Sequence, residues 1–196
     1  MRALVAVYTR TFNSFKVASR IKETIGADLT RIELAGGEQS NISNGILTFL
    51  GQKAPIKPCK TDLRSYDLLV LCCPVWSKST PPAVNQYLSE IQHGEGRKCA
   101  IAVTYDGDGA DRAIGKITKL MSARGLYCID SMSVMAAQVG DGSYYDLVTQ
   151  FASGLNTKAM VPVAVRKTAD TTGKAVKTAG NAAKTAGAVG RFFLRR

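Results

Sequence analysis

The sequence predicts an α/β protein, a doubly wound parallel sheet of five strands, followed by a basic C-terminal tail. Three observations predict it. Short apolar runs alternate with segments of helical period, as strands and crossover helices do in a parallel sheet. The runs are nearly continuous in apolar residues, as strands covered on both faces must be. The charge is concentrated at one end: residues 1 to 157 hold 17 Lys and Arg against 14 Asp and Glu, whereas residues 158 to 196 hold 9 against Asp170 alone.

The first strand is Ala3-Leu4-Val5-Ala6-Val7-Tyr8. A helix follows, with Asn13 or Ser14 as cap, Val17, Ala18, Ile21 and Ile25 on one stripe, and Gly26 at its close. Asp28 to Leu34 reads as the second strand, and a short helix is expected over Ile42 to Leu50. Leu68 to Cys73 is the most buried strand candidate, and Pro74 stops it for want of an N–H. Thr80 as cap, Pro81 and Pro82 in the first turn, and Val84, Tyr87, Leu88 and Ile91 at i, i+3, i+4 and i+7 mark the next helix. Cys99 to Tyr105 forms the fourth strand; Ile114, Ile117, Leu120 and Met121 mark a helix ending at Gly125; Leu126 to Val134 forms the fifth strand. Tyr144, Leu147, Val148, Phe151 and Leu155 give a last amphipathic helix. Right-handed crossovers between such units make an open sheet that takes ligands at the carboxyl ends of its strands.

With 196 residues, 45% apolar and 21% charged, the chain suits one globular domain of residues 1 to 157 and an appendage of residues 158 to 196. The run Leu68 to Cys73 is far shorter than the about 20 residues of a membrane span. Met1-Arg2 and the apolar residues Ala3 to Tyr8 are too short for a secretory core, so export is not expected. Five cysteines, Cys59, Cys72, Cys73, Cys99 and Cys128, are an odd count, and adjacent Cys72 and Cys73 point to opposite faces of any strand. They read as small buried hydrophobes in a reducing, cytoplasmic compartment. No metal site is expected: there is no C-x-x-C, and His93 is the only histidine. No nucleophile or acid/base pair stands out, so the sequence assigns no catalytic residue.

Three loops meet where the strand order of such a sheet reverses. After the first strand, Thr9-Arg10-Thr11-Phe12-Asn13-Ser14 sets small hydroxyl and amide groups before a helix N-terminus, which is a phosphate cradle in chemical type. It is neither a Walker loop nor G-x-G-x-x-G, and the competing reading is that Asn13 and Ser14 only cap the helix. After the third strand, Pro74-Val75-Trp76-Ser77-Lys78 carries the single tryptophan, suited to a flat aromatic ligand or to packing on its own loop. After the fourth, Thr104-Tyr105-Asp106-Gly107-Asp108-Gly109 offers a second aromatic and a glycine turn whose N–H groups can face a ligand.

Over residues 1 to 157 the chain resembles the flavodoxin family. Thr9, Thr11 and Ser14 fill the hydroxyl positions of that family's Thr/Ser-x-Thr-Gly-x-Thr loop, with Asn13 alongside. Tyr66-Asp67 with the strand to Pro74-Val75-Trp76 is similar to its Tyr-Asp, apolar strand, Pro-x-Tyr/Trp pattern, and Thr104 to Gly109 resembles its third flavin loop. The resemblance implies strand order 2-1-3-4-5 and an FMN site built from Thr9, Thr11, Phe12, Asn13 and Ser14, from Pro74, Val75, Trp76, Ser77 and Lys78, and from Thr104, Tyr105, Asp106, Gly107 and Gly109. It implies electron transfer or flavin-dependent reduction, with the first loop on the phosphate, Trp76 and Tyr105 against the ring, and backbone N–H groups on the ring carbonyls. Asp106 and Asp108 would make reduction harder and Lys78 would ease it. Phe12 departs from the family's usual Gly; a bulky residue there either narrows the loop or demands that its backbone avoid φ > 0. Flavodoxins are acidic, whereas this chain carries +11, so an acidic redox partner is expected. The alternative function is a flavin-free binding or scaffold module working through its tail.

The tail holds three sevens: Lys167 to Gly173, Lys174 to Gly180 and Asn181 to Gly187. At about 100° per residue, Lys174, Lys177, Lys184 and Arg191 share one side and Val176, Ala179 and Ala183 another. Glycines oppose a helix in water. The tail is therefore expected to be disordered in water and helical on an anionic surface. A solvated extension, a membrane-surface or partner-docking helix anchored by Phe192-Phe193-Leu194, and a nucleic-acid arm compete. Nucleic acid ranks last, because no aromatics interleave the lysines.

Overall fold

Val5 pairs with Leu29 on one side and with Val70 on the other, which makes β1 (Ala3–Val7) an inner strand flanked by β2 (Asp28–Arg31) and β3 (Leu68–Pro74). The computed structural model describes residues 1–36 and 52–161. Beyond β3 the sheet continues through β4 (Lys98–Tyr105) to β5 (Tyr127–Met135), all parallel, in the order β2-β1-β3-β4-β5. Among the described residues the helices are α1 (Asn13–Ile25), α2 (Pro82–Glu90), α3 (Ala110–Ser122), a short α4 (Ala136–Asp141) and α5 (Tyr144–Met160). Met1–Met160 forms one compact unit.

The alternation of β1 and β3 sorts their side chains between two cores. Ala3, Val5, Val7, Leu68, Val70 and Cys72 join Val17, Ala18 and Ile21 of α1 and Val148, Ala152 and Leu155 of α5 on one face. Leu4, Ala6, Leu69, Leu71 and Cys73 join Val84, Tyr87 and Leu88 of α2 and Ile117 and Met121 of α3 on the other. Each of these buried Val, Leu or Ile side chains contributes about 1.5–3 kcal/mol relative to exposure, which is why the strands tolerate almost no polar residue. Cys72 and Cys73 face opposite cores as the strand period requires, and burial pushes the Cys73 thiol up to about 12.

Several local expectations are corrected. β2 ends at Arg31 rather than Leu34, because Leu34 turns to an antiparallel bridge with Ile56. Asn13 and Ser14 lie inside α1 and do not cap it; the capping position is Phe12. Thr80 does not cap α2, whose N-cap is Pro81; its hydroxyl donates instead to Asn85 Oδ1. The run ending at Gly125 leaves helical form at Ser122, and the remaining residues make the turn. α4 was not anticipated, and α5 runs past residue 157 to Met160. The helix expected over Ile42 to Leu50 and the tail from residue 162 lie outside the described residues. Among the described residues, no helix is long and apolar enough to cross a membrane.

Candidate functional site

β1 ends at Val7, and the chain reaches α1 through Tyr8 to Phe12. Phe12 holds φ 64°, ψ −9°, a left-handed conformation that costs a residue with a side chain about 1–2 kcal/mol. The expectation that a bulky residue here would demand a backbone that avoids φ > 0 is therefore corrected. The ring turns outward, 57% exposed, and meets Phe15 edge to face at 6.0 Å. Among the described residues no side chain caps α1, so the first N–H groups of the helix stay available and keep the partial positive charge of the dipole. Thr9 Oγ1 is buried and has no hydrogen-bond partner among the described residues. An unpaired buried hydroxyl costs about 1–3 kcal/mol, a cost that an added acceptor or donor would remove.

Ser14 is committed elsewhere. Its Oγ lies 2.6 Å from Thr104 Oγ1 at the end of β4, both groups buried. The Val75 N–H donates to the Thr104 carbonyl at 2.8 Å, so one residue of β4 meets both the first and the second loop. Trp76 and Ser79 exchange backbone hydrogen bonds of 3.0 and 2.8 Å across Ser77 and Lys78, which have φ 47° and 59°. Two central residues at positive φ are the mark of a type I′ turn. Trp76 at the head of this turn is partly buried against the core: its ring meets Tyr8 edge to face at 5.7 Å, and the Arg10 guanidinium lies 5.8 Å from its centre.

Gly109 permits the close approach of the second and third loops. A Cβ at this position, φ 91°, would lie 2.7 Å from Lys78 Cα. The Lys78 ammonium pairs with Asp108 Oδ2 at 2.7 Å, with both side chains largely exposed, so the pair adds about 0–1 kcal/mol. It nevertheless sets the local charge: Lys78 and Asp108 offset each other, leaving exposed Asp106 as the carboxylate of these two loops without an ion pair among the described residues. Lys116 Nζ of α3 donates to Ser79 Oγ at 2.8 Å, and burial, aided by Arg112, lowers its pKa. Tyr105 is half-buried against the same core face as Val75 and Trp76.

The structure thus joins Ser14, Thr104 and Val75, and separately Lys78, Asp108 and Gly109, while Thr11, Phe12 and Asp106 stand exposed at the rim. Tyr8, Arg10, Ser79 and Lys116 were missed. Tyr8 and Arg10 directly flank Thr9 at the end of a strand, a signal that could have found them; Lys116 reads in sequence only as one of several helix lysines. His93, outside this rim, takes Asp62 Oδ1 as a partner at 3.0 Å.

No family model and no curated protein is similar to the sequence. Solved structures are. An inferred flavoprotein from Bacteroides uniformis aligns with TM-score 0.62 and 13% identity over 76% of this chain and 96% of its own. A flavoprotein in complex with FMN from Lactobacillus acidophilus aligns at 0.59 and 19%, covering 72% and 98%. Oxidised flavodoxin 2 from Bacillus cereus aligns at 0.59 and 16%, covering 81% and 99%. The chain has the flavodoxin-like fold. An open sheet with this strand order binds ligands at the crevice where the order reverses, between β1 and β3. In this flavodoxin-like chain the crevice is bordered by the start of α1, the Trp76 turn and the Gly107 to Gly109 turn.

Proposed function

We propose that the chain binds FMN at this rim and acts in electron transfer or flavin-dependent reduction, with its basic tail docking it to an acidic partner or an anionic surface. The observation that carries the reading is the start of α1, which no described side chain caps, together with the buried Thr9 hydroxyl, which has no partner among the described residues. An oxyanion there gains helix N–H donors, the dipole and a hydroxyl at once. The FMN held by the Lactobacillus relative and the flavodoxin from Bacillus add support through the shared fold.

Thr9, Thr11, Asn13 and the first N–H groups of α1 would hold the phosphate. Ser14 acts differently from the other hydroxyls of its loop: its bond to Thr104 sets where α1 begins relative to β4. Trp76 and Tyr105 would border the ring, and the N–H groups of Gly107 to Gly109 would meet its carbonyls. When bound, FMN supplies one- and two-electron redox chemistry. Asp106 disfavours added negative charge at the ring edge, and Lys78, paired with Asp108, offsets little of it.

The test is the visible spectrum of the purified full-length protein and its titration with FMN. Flavin bands near one per chain, or quenching of flavin fluorescence on reconstitution, support the reading; a colourless protein that takes up no FMN overturns it. A second reading, a flavin-free module working through its tail, draws support from Ser14 and Trp76, whose side chains are already engaged by Thr104 and Tyr8. Sedimentation with anionic vesicles separates the tail's roles, because a docking tail carries the chain down and a merely solvated one does not.

A further inference from the structure

Cys99 of β4 and Cys128 of β5 are direct partners across the sheet, and both side chains belong to the core face that holds Ile117 and Met121 of α3. Neighbouring strands run about 4.8 Å apart, inside the Cα separation of about 4.4–6.8 Å that a disulfide spans. The matching Cβ separation, about 3.5–4.5 Å, asks the two strands only to draw in slightly. Two features let them. β5 is the last strand of the described sheet, with β4 as its one neighbour. Just past the pair the register slips: Cys99 faces Cys128 but Ala100 faces Asp130, so β5 carries an extra residue, Ile129. Such a bulge interrupts the ladder and bends its strand. The pair stands at the amino ends of both strands, whereas the crevice lies at their carboxyl ends, so nothing argued from it depends on a flavin.

The other thiols lack this setting. Cys72 and Cys73 are enclosed in opposite cores, and burial pushes the half-buried Cys59 thiol up. Cys128 is half-buried rather than enclosed. The Cys99 thiol donates to its sulfur, and this bond, with Thr118 and the Asp130 backbone adding to it against burial, brings Cys128 down to about 7 from the ordinary 9.0. The same bond, and then burial, push Cys99 up. The thiolate is the nucleophile, and its exposure governs oxidation. Near neutral pH Cys128 therefore presents an attacking sulfur, with a protonated Cys99 beside it. An accessible, easily ionised thiol next to a second cysteine is the arrangement of a peroxide-sensing pair.

We propose that Cys128 and Cys99 are a modification site for hydrogen peroxide, closing a reversible disulfide between β4 and β5. The Cys128 thiolate attacks one peroxide oxygen, the O–O bond breaks, a proton is taken up and water leaves, which makes Cys128 a sulfenic acid. The Cys99 sulfur then attacks the Cys128 sulfur; the S–S bond forms, the S–O bond breaks, and the Cys99 proton departs with the hydroxyl as a second water. Two thiols lose two electrons and the peroxide gains them, and a small dithiol reverses the bridge by exchange. The experiment exposes the folded full-length protein to peroxide, then unfolds it and counts thiols by alkylation and mass spectrometry. Trypsin cuts at Lys98, Arg112 and Arg124, so the two cysteines fall on separate peptides. The five thiols should fall to three, the missing two should appear as one Cys99–Cys128 cross-linked peptide pair, and dithiothreitol should restore all five. Cys99→Ser, whose hydroxyl keeps a donor beside Cys128, should stop at the sulfenic acid, captured by dimedone. Cys128→Ser should retain its four thiols. The wild-type count decides by itself should a variant fail to fold. Five thiols surviving peroxide, a sulfenic acid at Cys128 that persists in the wild type, or a bridge between two chains would each overturn the pair.

Discussion

Ser14 Oγ and Thr104 Oγ1 lie 2.6 Å apart although 90 residues separate them in the chain. The pair fastens the first turn of α1 to the end of β4, two of the elements that frame the rim. The relation is tertiary in origin: each hydroxyl is buried because the other satisfies it.

Removing one member of this pair should cost more than removing both. Ser14→Ala or Thr104→Val leaves a buried hydroxyl unpaired, an expected loss of about 1–3 kcal/mol, whereas the double variant should recover part of it. Urea unfolding of all four proteins measures the coupling, and strictly additive losses would refute it.

Phe12→Gly should leave the protein as stable or raise its stability by about 1 kcal/mol, because the left-handed backbone ceases to be strained and the lost ring is mostly exposed. Phe12→Val should lower stability, since a β-branched side chain tolerates positive φ worst. Thermal melts would rank the three, with Val last.

Gly109→Ala should destabilise more than Gly107→Ala. Both glycines have positive φ, a strain of about 1–3 kcal/mol for alanine, but only at Gly109 would the new methyl meet backbone, the Lys78 Cα at 2.7 Å. At Gly107 the space is open. Chemical denaturation decides, and equal losses would show that the two loops can separate at little cost.

Acid should weaken the fold through Asp28. The Tyr66 hydroxyl donates to Asp28 Oδ2 at 2.7 Å, and this bond, with Lys60 and Arg2 nearby, holds the carboxyl below its ordinary value of 3.8. A carboxyl depressed in the folded state stabilises fully above its unfolded value, and the contribution is lost as pH falls through the folded one. Wild type should therefore lose stability below about pH 4, and Tyr66→Phe, lacking the largest cause, should lose less over the same interval. Parallel urea midpoints from pH 5 to pH 2 would count against this.

Much of the architecture was legible because its signals are local. Apolar runs at Ala3 to Val7 and Leu68 to Cys73 can only be strands covered on both faces, and Gly26 closes α1 as its position suggested, with φ 64° and its N–H on the Lys22 carbonyl. The caps were misread because residue type alone favours Asn13, Ser14 and Thr80, whereas Ser14 and Thr80 found side-chain partners in Thr104 and Asn85. α4 was missed because six residues present too little periodicity to register.

The amino-acid order by itself determined the five strands, the helices α1, α2, α3 and α5 and the three loops that border the crevice, since burial on two faces and helical period are written in short windows. Only the tertiary structure decided that Trp76 lies against Tyr8, that Ser14 serves Thr104, that Phe12 turns outward and that Cys99 faces Cys128. The physical reason is that most of these relations join residues far apart in the chain, and even Phe12 takes its strained φ from what the strand and helix on either side require; no short window of sequence contains the partner that sets the geometry.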